Sequence, residues 1–450
     1  MKSNKLILIL SVLSVMVSCS STKTIDTVTV DGGQLKGVLT DNPSVMVFRG
    51  VPYAAAPVGD LRWALPREVT PWEGVRVADT FGSPAVQLGR QEGSFYYKEF
   101  QPEPLPPVSE DCLYLNIWTP SDAVGHADRK LPVAMWIHGG AFYGGCGNDV
   151  AFDGEAWASR GVILVTINYR LGIMGFMSHP ELSAENPYGA SGNQGIYDQL
   201  QAIKWIKANI SQFGGDPDNL TVMGQSAGAM SVKILAASPL AKGLINKAII
   251  QSGGGVTKPL AGGLPARTPA DYDAASKAAW DALGLDDLGK MRAASADQLK
   301  NIRTVPGGTH VDGNLITESF DEAAYANRIL DIPYMIGSNG DDMTPGPLKE
   351  GCARFGAVRD SLGTQPAYVY FFDRKLPGDD SGSFHSAELW YMFHTLGRSW
   401  RPMEEHDFAL SDKMMDYWTN FAKFGNPNGK DVDGQWKPYT RTSPYVEQLN

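Results

Sequence analysis

Short apolar runs, each followed by turn residues, recur along the chain and alternate with segments of helical periodicity. The runs lie at 133–137, 162–167, 220–223, 247–250, 333–336 and 367–373. Continuous apolar runs of this length are typical of strands that are buried on both faces of a parallel sheet. We therefore predict a twisted central sheet whose strands are mostly parallel.

Two segments between these runs have the spacing of amphipathic helices. In 195–215, apolar side chains recur at Leu200, Ile203 and Ile206, and glycines follow the last of them. The second segment, 410–429, ends in a Gly-Asn-Pro turn. Strands that alternate with helices indicate a doubly wound α/β fold, with helices on both faces and ligands at the carboxyl ends of the strands.

One domain accounts for most of the chain. The sequence has 450 residues, of which 43% are hydrophobic, and no linker-like stretch divides it. We predict a single catalytic domain over 28–450. The stretch at about 266–303 is helical in composition and interrupts the alternation, so we expect it to be a helical insertion over the active site.

The N-terminus has the features of an export signal. Residues 1–18 carry Lys2 and Lys5 before an apolar run that is too short to span a bilayer. The run ends in "MVSC", which resembles a bacterial lipobox with Cys19 as the lipidated residue, and 19–27 then form a spacer. We expect a cell-envelope lipoprotein (outer membrane, periplasm or cell surface); the alternative is an ordinary secretory signal with an incidental cysteine.

Composition and cysteine spacing exclude two classes of function. The formal net charge is −10, with 39 basic and 49 acidic residues, which argues against a nucleic-acid partner. Beyond Cys19, the cysteines are Cys112, Cys146 and Cys352. Their spacing fits no zinc motif, so we interpret them as buried thiols with room for at most one disulfide.

The segment "TVMGQSAGAM" contains the candidate nucleophile, Ser226. A Gly-x-Ser-x-Gly pattern is weak by itself in a chain with 49 glycines. Here, however, a predicted strand precedes it and a helical pattern follows it. A strand-turn-helix elbow exposes the serine hydroxyl and requires glycine at Gly224 and Gly228, where a side chain would clash.

A serine hydroxyl needs a histidine as its base, and the expected chain order is serine, acid, histidine. Four of the seven histidines follow Ser226, namely His310, His385, His394 and His406. His385 has the best position, because it follows the strand-like run at 367–373 within a loop of Gly, Ser and Asp residues. His394 lies in an apolar stretch and His406 among charged residues.

The acid and the oxyanion donors have candidates at other predicted strand ends. Asp341 and Asp342 follow the run at 333–336, and spacing does not choose between them. The segment "IHGGAFYGG", at 137–145, is a glycine-rich loop whose backbone N–H groups, with that of Ala227, can stabilise an oxyanion.

These motifs resemble the type-B carboxylesterase family, the cholinesterase-like branch of the α/β hydrolases. The resemblance runs from about 28 to 429 and includes "FRGVPYAAAPVGDLRW", "SEDCLYLNIWTP", "WIHGGAFYGG", "FGGDPDNLTVMGQSAGA" and "YWTNFAKFGNPN". It implies an α/β-hydrolase fold and a serine carboxylic-ester hydrolase that works through an acyl-enzyme. The residues that it assigns are Ser226, Asp342 and His385 as the catalytic triad and Gly140, Ala141 and Ala227 as the oxyanion hole.

Three departures from the family pattern affect these expectations. The family acid is usually glutamate, so Asp342 is one methylene shorter. The family often pairs the cysteine at Cys112 with an upstream cysteine, but Val86 stands there. Only 43 positions separate Asp342 from His385 (385 − 342 = 43), where relatives carry a longer helical insert, which implies a shallower and more open pocket.

The resemblance leaves alternatives to an ester hydrolase. The same triad serves an amidase or carbamate hydrolase, and some members of the family are non-catalytic binding modules. We expect a small-molecule ester substrate, no cofactor, no metal, and membrane contact only through the lipid anchor. The sequence predicts neither the ester nor the oligomeric state.

Overall fold

The computed structural model of the protein describes residues 25–101, 106–257, 268–302, 308–430 and 434–450. The predicted signal at 1–18 and the predicted lipidation site at Cys19 lie outside these ranges. Within them, none of the helices has the length and apolarity that crossing a bilayer requires.

Ten strands form one large sheet, and three form a small sheet near the N-terminus. In chain order the strands are β1 (Thr27–Val30), β2 (Gly33–Lys36), β3 (Val38–Leu39), β4 (Val45–Pro52), β5 (Val75–Val77), β6 (Tyr114–Pro120), β7 (Leu131–Ile137), β8 (Ile163–Ile167), β9 (Gly215–Gln225), β10 (Lys247–Gln251), β11 (Tyr334–Asn339), β12 (Ala367–Phe372) and β13 (Val446–Leu449).

The large sheet has the order β13-β12-β11-β10-β9-β7-β8-β6-β4-β3. Neighbours from β13 to β8 are parallel, whereas β6, β4 and β3 join that block by antiparallel pairing. All six apolar runs in the sequence lie in the parallel block. The predicted α/β fold with a mostly parallel sheet is therefore confirmed.

Helices cover both faces of the large sheet. They are α1 (Phe95–Phe100), α2 (Glu155–Ser159), α3 (Gly172–Phe176), α4 (Pro180–Glu185), α5 (Gln194–Asn209), α6 (Ala227–Ala237), α7 (Pro269–Ala282), α8 (Leu288–Ala293), α9 (Ala296–Leu299), α10 (Phe320–Tyr325), α11 (Pro345–Leu362), α12 (Leu389–Met392) and α13 (Glu405–Phe424). The two predicted amphipathic helices correspond to α5 and α13.

A separate hydrophobic core lies on each face of the sheet. Along β7, Val133, Met135 and Ile137 face one core, while Ala134 and Trp136 face the other. This alternation explains why the strand is apolar at every position. The two cores fix the register of the parallel strands, and with it the alignment of their carboxyl ends.

The predicted insertion contains α7, α8 and α9. Trp280 of α7 packs edge-on against Trp63 at 6.2 Å between ring centroids, and both belong to a small core with Met174. The Arg62 guanidinium also donates to the carbonyl of Ala294, at 2.6 Å. Because Met174 lies in α3, just after the carboxyl end of β8, these helices pack at the sheet edge where ligands are expected.

The three cysteines in the described ranges, Cys112, Cys146 and Cys352, are buried and unpaired. Burial raises the pKa of the Cys146 thiol to about 12 and that of Cys352 to about 12. They are therefore protonated, unreactive thiols at neutral pH.

Candidate active site

Ser226 occupies the sharp turn between β9 and α6. Its backbone angles are φ 57° and ψ −123°, a conformation that costs a non-glycine residue about 1–3 kcal/mol. Its N–H donates to the carbonyl of Gln251 at the end of β10, and its carbonyl accepts from the N–H of Met230, both at 2.9 Å. These bonds hold the turn, and the serine remains partly exposed.

The two glycines that flank the serine are required by close backbone approach, as the sequence predicts. A Cβ at Gly224 would stand 2.5 Å from the carbonyl carbon of Gly228. A Cβ at Gly228 would stand 2.0 Å from the carbonyl oxygen of Ile137, the last residue of β7. The turn therefore closes only because neither position carries a side chain.

Asp342 and His385 meet at the carboxyl edge of the sheet. The Nδ1–H of His385 donates to Oδ1 of Asp342 at 2.5 Å, and both side chains are buried. Asp342 also accepts the backbone N–H groups of Asn339 at 3.2 Å and Met343 at 2.8 Å. The shorter acidic side chain therefore does not loosen the contact with the histidine.

The neighbouring Asp341 points away from the histidine. Its Oδ2 accepts from the Lys375 ammonium at 2.7 Å and from the backbone N–H of Ser383 at 2.8 Å. The geometry thus separates the two candidate acids that spacing left open, because Asp342 is the one that contacts His385.

Asp342 is held in its ionised form. Burial by itself raises the pKa of this carboxyl, but the hydrogen bond and charge of His385 outweigh burial and bring the pKa below its usual value. The nearby Ser252 hydroxyl lowers the pKa further. An ionised Asp342 keeps the proton of His385 on Nδ1.

The second ring nitrogen of His385 faces the nucleophile turn. Its Nε2 lies 3.2 Å from the side-chain amide nitrogen of Gln225, which donates to it in the tautomer set by Asp342. Within the described part of the chain, no hydrogen bond joins the Ser226 hydroxyl to this nitrogen. Nε2 therefore contacts the residue next to Ser226 instead of the serine hydroxyl, and catalytic contacts in unliganded enzymes often tighten only with substrate.

The other three histidines that follow the candidate nucleophile in the chain, all within the described ranges, do not contact the triad. The ring of His310 stacks on Tyr272 at 4.2 Å, and Nδ1 of His394 lies 2.8 Å from the Ser411 hydroxyl. His406 lies in the first turn of α13.

The glycine-rich loop after β7 lies directly against the nucleophile turn. A Cβ at Gly139 would stand 3.1 Å from the Cβ of Ser226. Gly140 and Ala141 have φ values of 111° and 55°, and Ala227 is the first residue of α6. Among the described residues, none accepts a hydrogen bond from the N–H groups of Gly140, Ala141 or Ala227, so all three donors are available to a ligand.

Buried side chains fix the shape of this loop. The Gln87 amide bonds both the N–H and the carbonyl of Gly145, each at 2.8 Å. His138 stacks on Tyr169 at 4.5 Å and donates Nδ1–H to the carbonyl of Gly139 at 2.8 Å. Burial lowers the pKa of His138 to about 4, so this histidine is a neutral structural group.

A buried polar network beneath the site was not predicted. Glu388 accepts from the side-chain amides of Asn339 at 2.5 Å and Gln251 at 3.4 Å. Burial raises the pKa of Glu388 to about 7. Because Gln251 also holds the Ser226 backbone and Asn339 holds Asp342, the network joins the two strand ends. The only signal in the sequence is an acid three residues after His385.

The parallel strands place a strained serine and a buried aspartate–histidine pair at one edge of the sheet. This arrangement is that of the α/β hydrolases. Fold and site assign the chain to this class of enzyme. No group of three or more His, Cys, Asp or Glu in the described ranges is arranged to hold a metal ion.

Comparison with known proteins narrows the class. The model of the carboxylesterase family matches residues 23–346 and 353–450. The chain is 34% identical to the para-nitrobenzyl esterase of Bacillus subtilis over 481 residues, 92% of each protein. It is 41% identical to the fumonisin B1 esterase of Sphingopyxis macrogoltabida over 318 residues, a match that covers 69% of this chain but 55% of that protein.

Solved structures give the same result. A PNB esterase superposes with a TM-score of 0.78 at 29% identity, covering 94% of this chain and 96% of that one. A carboxylesterase of Geobacillus stearothermophilus superposes with a TM-score of 0.77 at 30% identity and the same coverage. The chain therefore belongs to the carboxylesterase family and is a serine ester hydrolase of type B.

Proposed function

We propose that Ser226, His385 and Asp342 are the catalytic triad with which this chain hydrolyses small carboxylic esters. The observation that carries the assignment is the buried contact between His385 and Asp342, together with the contact of His385 Nε2 with Gln225, the residue that precedes the strained serine. In this arrangement Nε2 of His385 takes the proton of the Ser226 hydroxyl as the oxygen attacks the ester carbonyl.

The developing oxyanion is stabilised by the three unoccupied N–H groups of Gly140, Ala141 and Ala227. Such a donor typically contributes about 10²–10³ in rate. His385 then gives its proton to the leaving alcohol, which departs and leaves Ser226 acylated. Water, deprotonated by the same histidine, hydrolyses the acyl-enzyme and restores the serine.

Substitution of the nucleophile tests this assignment. We expect Ser226→Ala to abolish turnover of p-nitrophenyl acetate and labelling by a fluorophosphonate probe, while Ser121→Ala, on the surface, keeps both. Peptide mapping of the labelled wild-type protein should place the probe on Ser226. Labelling at another serine, or turnover by Ser226→Ala at the wild-type rate, would refute it. Parallel assays with p-nitroanilide and carbamate substrates distinguish an esterase from an amidase or carbamate hydrolase.

We propose further that the chain is exported as a cell-envelope lipoprotein acylated at Cys19. The support is the order of charged residues, apolar run and "MVSC" at the N-terminus. Two or more acyl chains anchor a protein stably where one is marginal. In bacteria fed an alkyne fatty acid, the full chain should be labelled and Cys19→Ser should not, with Cys146→Ser as the control. Equal labelling of Cys19→Ser would disprove lipidation at this residue.

A further inference from the structure

A second cleft lies at the same edge of the sheet, away from the triad. It has a volume of about 430 Å³ and is lined by residues of β4, β5, the following loop and the start of β6. β6 and β4 are third and fourth from β9 in the sheet. At about 4.8 Å per strand this separates the cleft from the Ser226 strand by roughly 15–20 Å. The volume is that of a small-molecule site.

Two arginines without ion pairs line this cleft. Most arginines in the described ranges lie within salt-bridge distance of Asp or Glu, but Arg49, Arg67 and Arg76 do not. Arg49 and Arg76 both contribute to the cleft. The one hydrogen bond of the Arg49 guanidinium is a long one, 3.3 Å, to the carbonyl of Asp79, and its buried Nε has no acceptor. Because neither guanidinium forms an ion pair, both can bind an oxyanion ligand.

Aromatic rings position both guanidinium groups. Arg49 lies over Phe81 at 5.1 Å, and Arg76 lies over Tyr114 at 5.6 Å and Trp72 at 5.9 Å from the ring centroids. Contact through the face of a guanidinium leaves its N–H edge directed elsewhere. The two groups are therefore held in place while their donors remain available.

The walls of the cleft are fixed by backbone contacts. A Cβ at Gly50 would stand 2.5 Å from the carbonyl oxygen of Thr80, and one at Gly82 would stand 2.4 Å from the Tyr114 ring. The N–H of Arg49 donates to the carbonyl of Ala78 at 2.8 Å, which places Arg49 beside the segment that carries Arg76. The site is thus built before a ligand arrives, which reduces the entropy cost of binding.

Two carboxylates restrict which anion fits. Oδ1 of Asp79 accepts from Thr80 at 3.0 Å and Oδ2 of Asp111 accepts from Tyr114 at 2.9 Å, so each has one further oxygen to accept hydrogen bonds. Their charges balance those of Arg49 and Arg76, which disfavours ligands with several separate acidic groups. Ligand hydroxyl groups satisfy the carboxylates and one acidic group satisfies the arginines.

We propose that this cleft binds a small hydroxylated acid, such as a sugar acid or sugar phosphate. Its carboxylate or phosphate lies between Arg49 and Arg76, and its hydroxyl groups donate to Asp79 and Asp111. Carboxylate and phosphate share this chemistry, since the guanidinium fork binds either oxyanion.

Calorimetric titration of the purified full chain tests the site with three probes: glucuronate, glucose 6-phosphate and glucose. We expect at least one acidic probe to bind with a dissociation constant of about 1 mM or lower, and glucose at least about tenfold more weakly. Tighter binding of glucuronate assigns a carboxylate ligand and tighter binding of glucose 6-phosphate a phosphate ligand. Equal binding of glucose and the acids, or no binding of any probe at about 20 mM, overturns the proposal.

Matched arginine variants locate the binding site. Arg49→Met and Arg76→Met should each weaken binding of the acidic probe at least about tenfold, whereas Arg67→Met, which removes an unpaired arginine outside the cleft, should leave it unchanged. Near-ultraviolet circular dichroism checks that each variant is folded. Unweakened binding in both cleft variants, or an equal loss in Arg67→Met, places the anion elsewhere and overturns the proposal. The comparison of probes on the wild-type chain needs no variant, so a lack of selective binding overturns the proposal even if a cleft variant fails to fold.

Discussion

Replacing Asp342 by Asn tests the role of the buried acid most directly. In the structure the Asp342 carboxylate accepts the Nδ1–H of His385 at 2.5 Å and faces the positive charge that His385 gains during attack. The substitution keeps the size of the side chain but removes its negative charge. Both oxygens of the Asp342 carboxylate accept hydrogen bonds from N–H groups. In Asp342→Asn one of these oxygens is replaced by an NH₂ group, which cannot accept them.

The loss of charge sets the size of the effect. At an effective dielectric constant of about 20, unit charges about 4 Å apart attract by about 4 kcal/mol, which corresponds to about 10³ in rate. If the new NH₂ group faces the imidazole, the tautomer of His385 is reversed and the loss approaches about 10⁴. We therefore expect kcat of Asp342→Asn to fall by about 10³–10⁴, with a smaller change in KM.

The adjacent acid supplies the control. Asp341→Asn removes a carboxylate that contacts Lys375 and Ser383 instead of the histidine, and exposed ion pairs contribute only about 0–1 kcal/mol to stability. We expect its kcat for p-nitrophenyl acetate to stay within about twofold of wild type. The reasoning is refuted if Asp342→Asn retains more than about a tenth of wild-type kcat, or if Asp341→Asn falls as far.

The pKa of Asp342 also gives the direction of a stability effect. Because the folded protein lowers this pKa below its ordinary value of 3.8, ionised Asp342 stabilises the fold at higher pH. That stabilisation is lost as the pH falls below 3.8 through the folded value. Acid titrations followed by fluorescence should therefore show a shallower loss of stability for Asp342→Asn than for wild type.

Three further predictions concern residues around the triad. Gly228→Ala places a Cβ 2.0 Å from a carbonyl oxygen of β7, so it should cost about 1–3 kcal/mol in urea unfolding and most of the esterase activity; Gly346→Ala, where a Cβ meets nothing within 4 Å, should cost neither. Burial raises the pKa of Glu388 from 4.5 to about 7, so between these pH values the unfolded chain releases a proton that the folded protein keeps. The free energy of unfolding should therefore fall by up to about 3 kcal/mol as the pH rises through this interval. In Glu388→Gln this fall should be absent. Arg401 and Glu99 form a buried ion pair at 2.6 Å. Arg401→Met should cost about 3–5 kcal/mol because the buried Glu99 carboxylate is left without a cationic partner, and adding Glu99→Gln should recover part of that loss. The first prediction is contradicted if the two glycine variants have equal unfolding curves. The second is contradicted if Glu388→Gln keeps the pH dependence of wild type, and the third if the double variant recovers no stability.

The sequence predicted the parallel strands β7 to β12 because they are apolar on both faces. It did not predict the parallel edge strand β13, in which only two of the four residues are buried. It missed β6, whose apolar run is broken by Asn116. That asparagine is buried, where it donates to the Thr166 hydroxyl at 3.0 Å and accepts from the N–H of Gly50 at 3.0 Å. A polar residue satisfied by distant partners cannot be distinguished from an exposed one in a one-dimensional pattern.

The helix α11 was missed for a related reason. It lies between Asp342 and His385, and its sequence is rich in glycine and charge. Its buried stripe is narrow and includes Cys352, Phe355 and the charged Arg359. Amphipathicity is a weak signal when part of the buried face is charged. The more open pocket expected from this short segment stays a prediction.

The site itself was predictable to the extent that its chemistry is local. The glycines around Ser226 are required by a turn of five residues, so the sequence shows them. The choice between Asp341 and Asp342 depends on side-chain direction, which Lys375 and His385 decide from positions more than thirty residues away. The position of Glu388 beneath the triad depends on which strand ends are neighbours, and that is a property of the whole sheet.

Backbone strain at this edge shows why the surrounding fold must be extensive. Ala141, Ser226, Ser252 and Ser386 all have positive φ without being glycine, and they follow the carboxyl ends of β7, β9, β10 and β12. Each such residue costs about 1–3 kcal/mol and persists only where its surroundings determine its conformation. Here the parallel register and the two cores do so, because strands locked on both faces leave their ends no freedom to relax. The hydrophobic cores therefore contribute to catalysis indirectly, since their stability offsets the strained conformations that bring a serine, an oxyanion loop and a histidine to one edge.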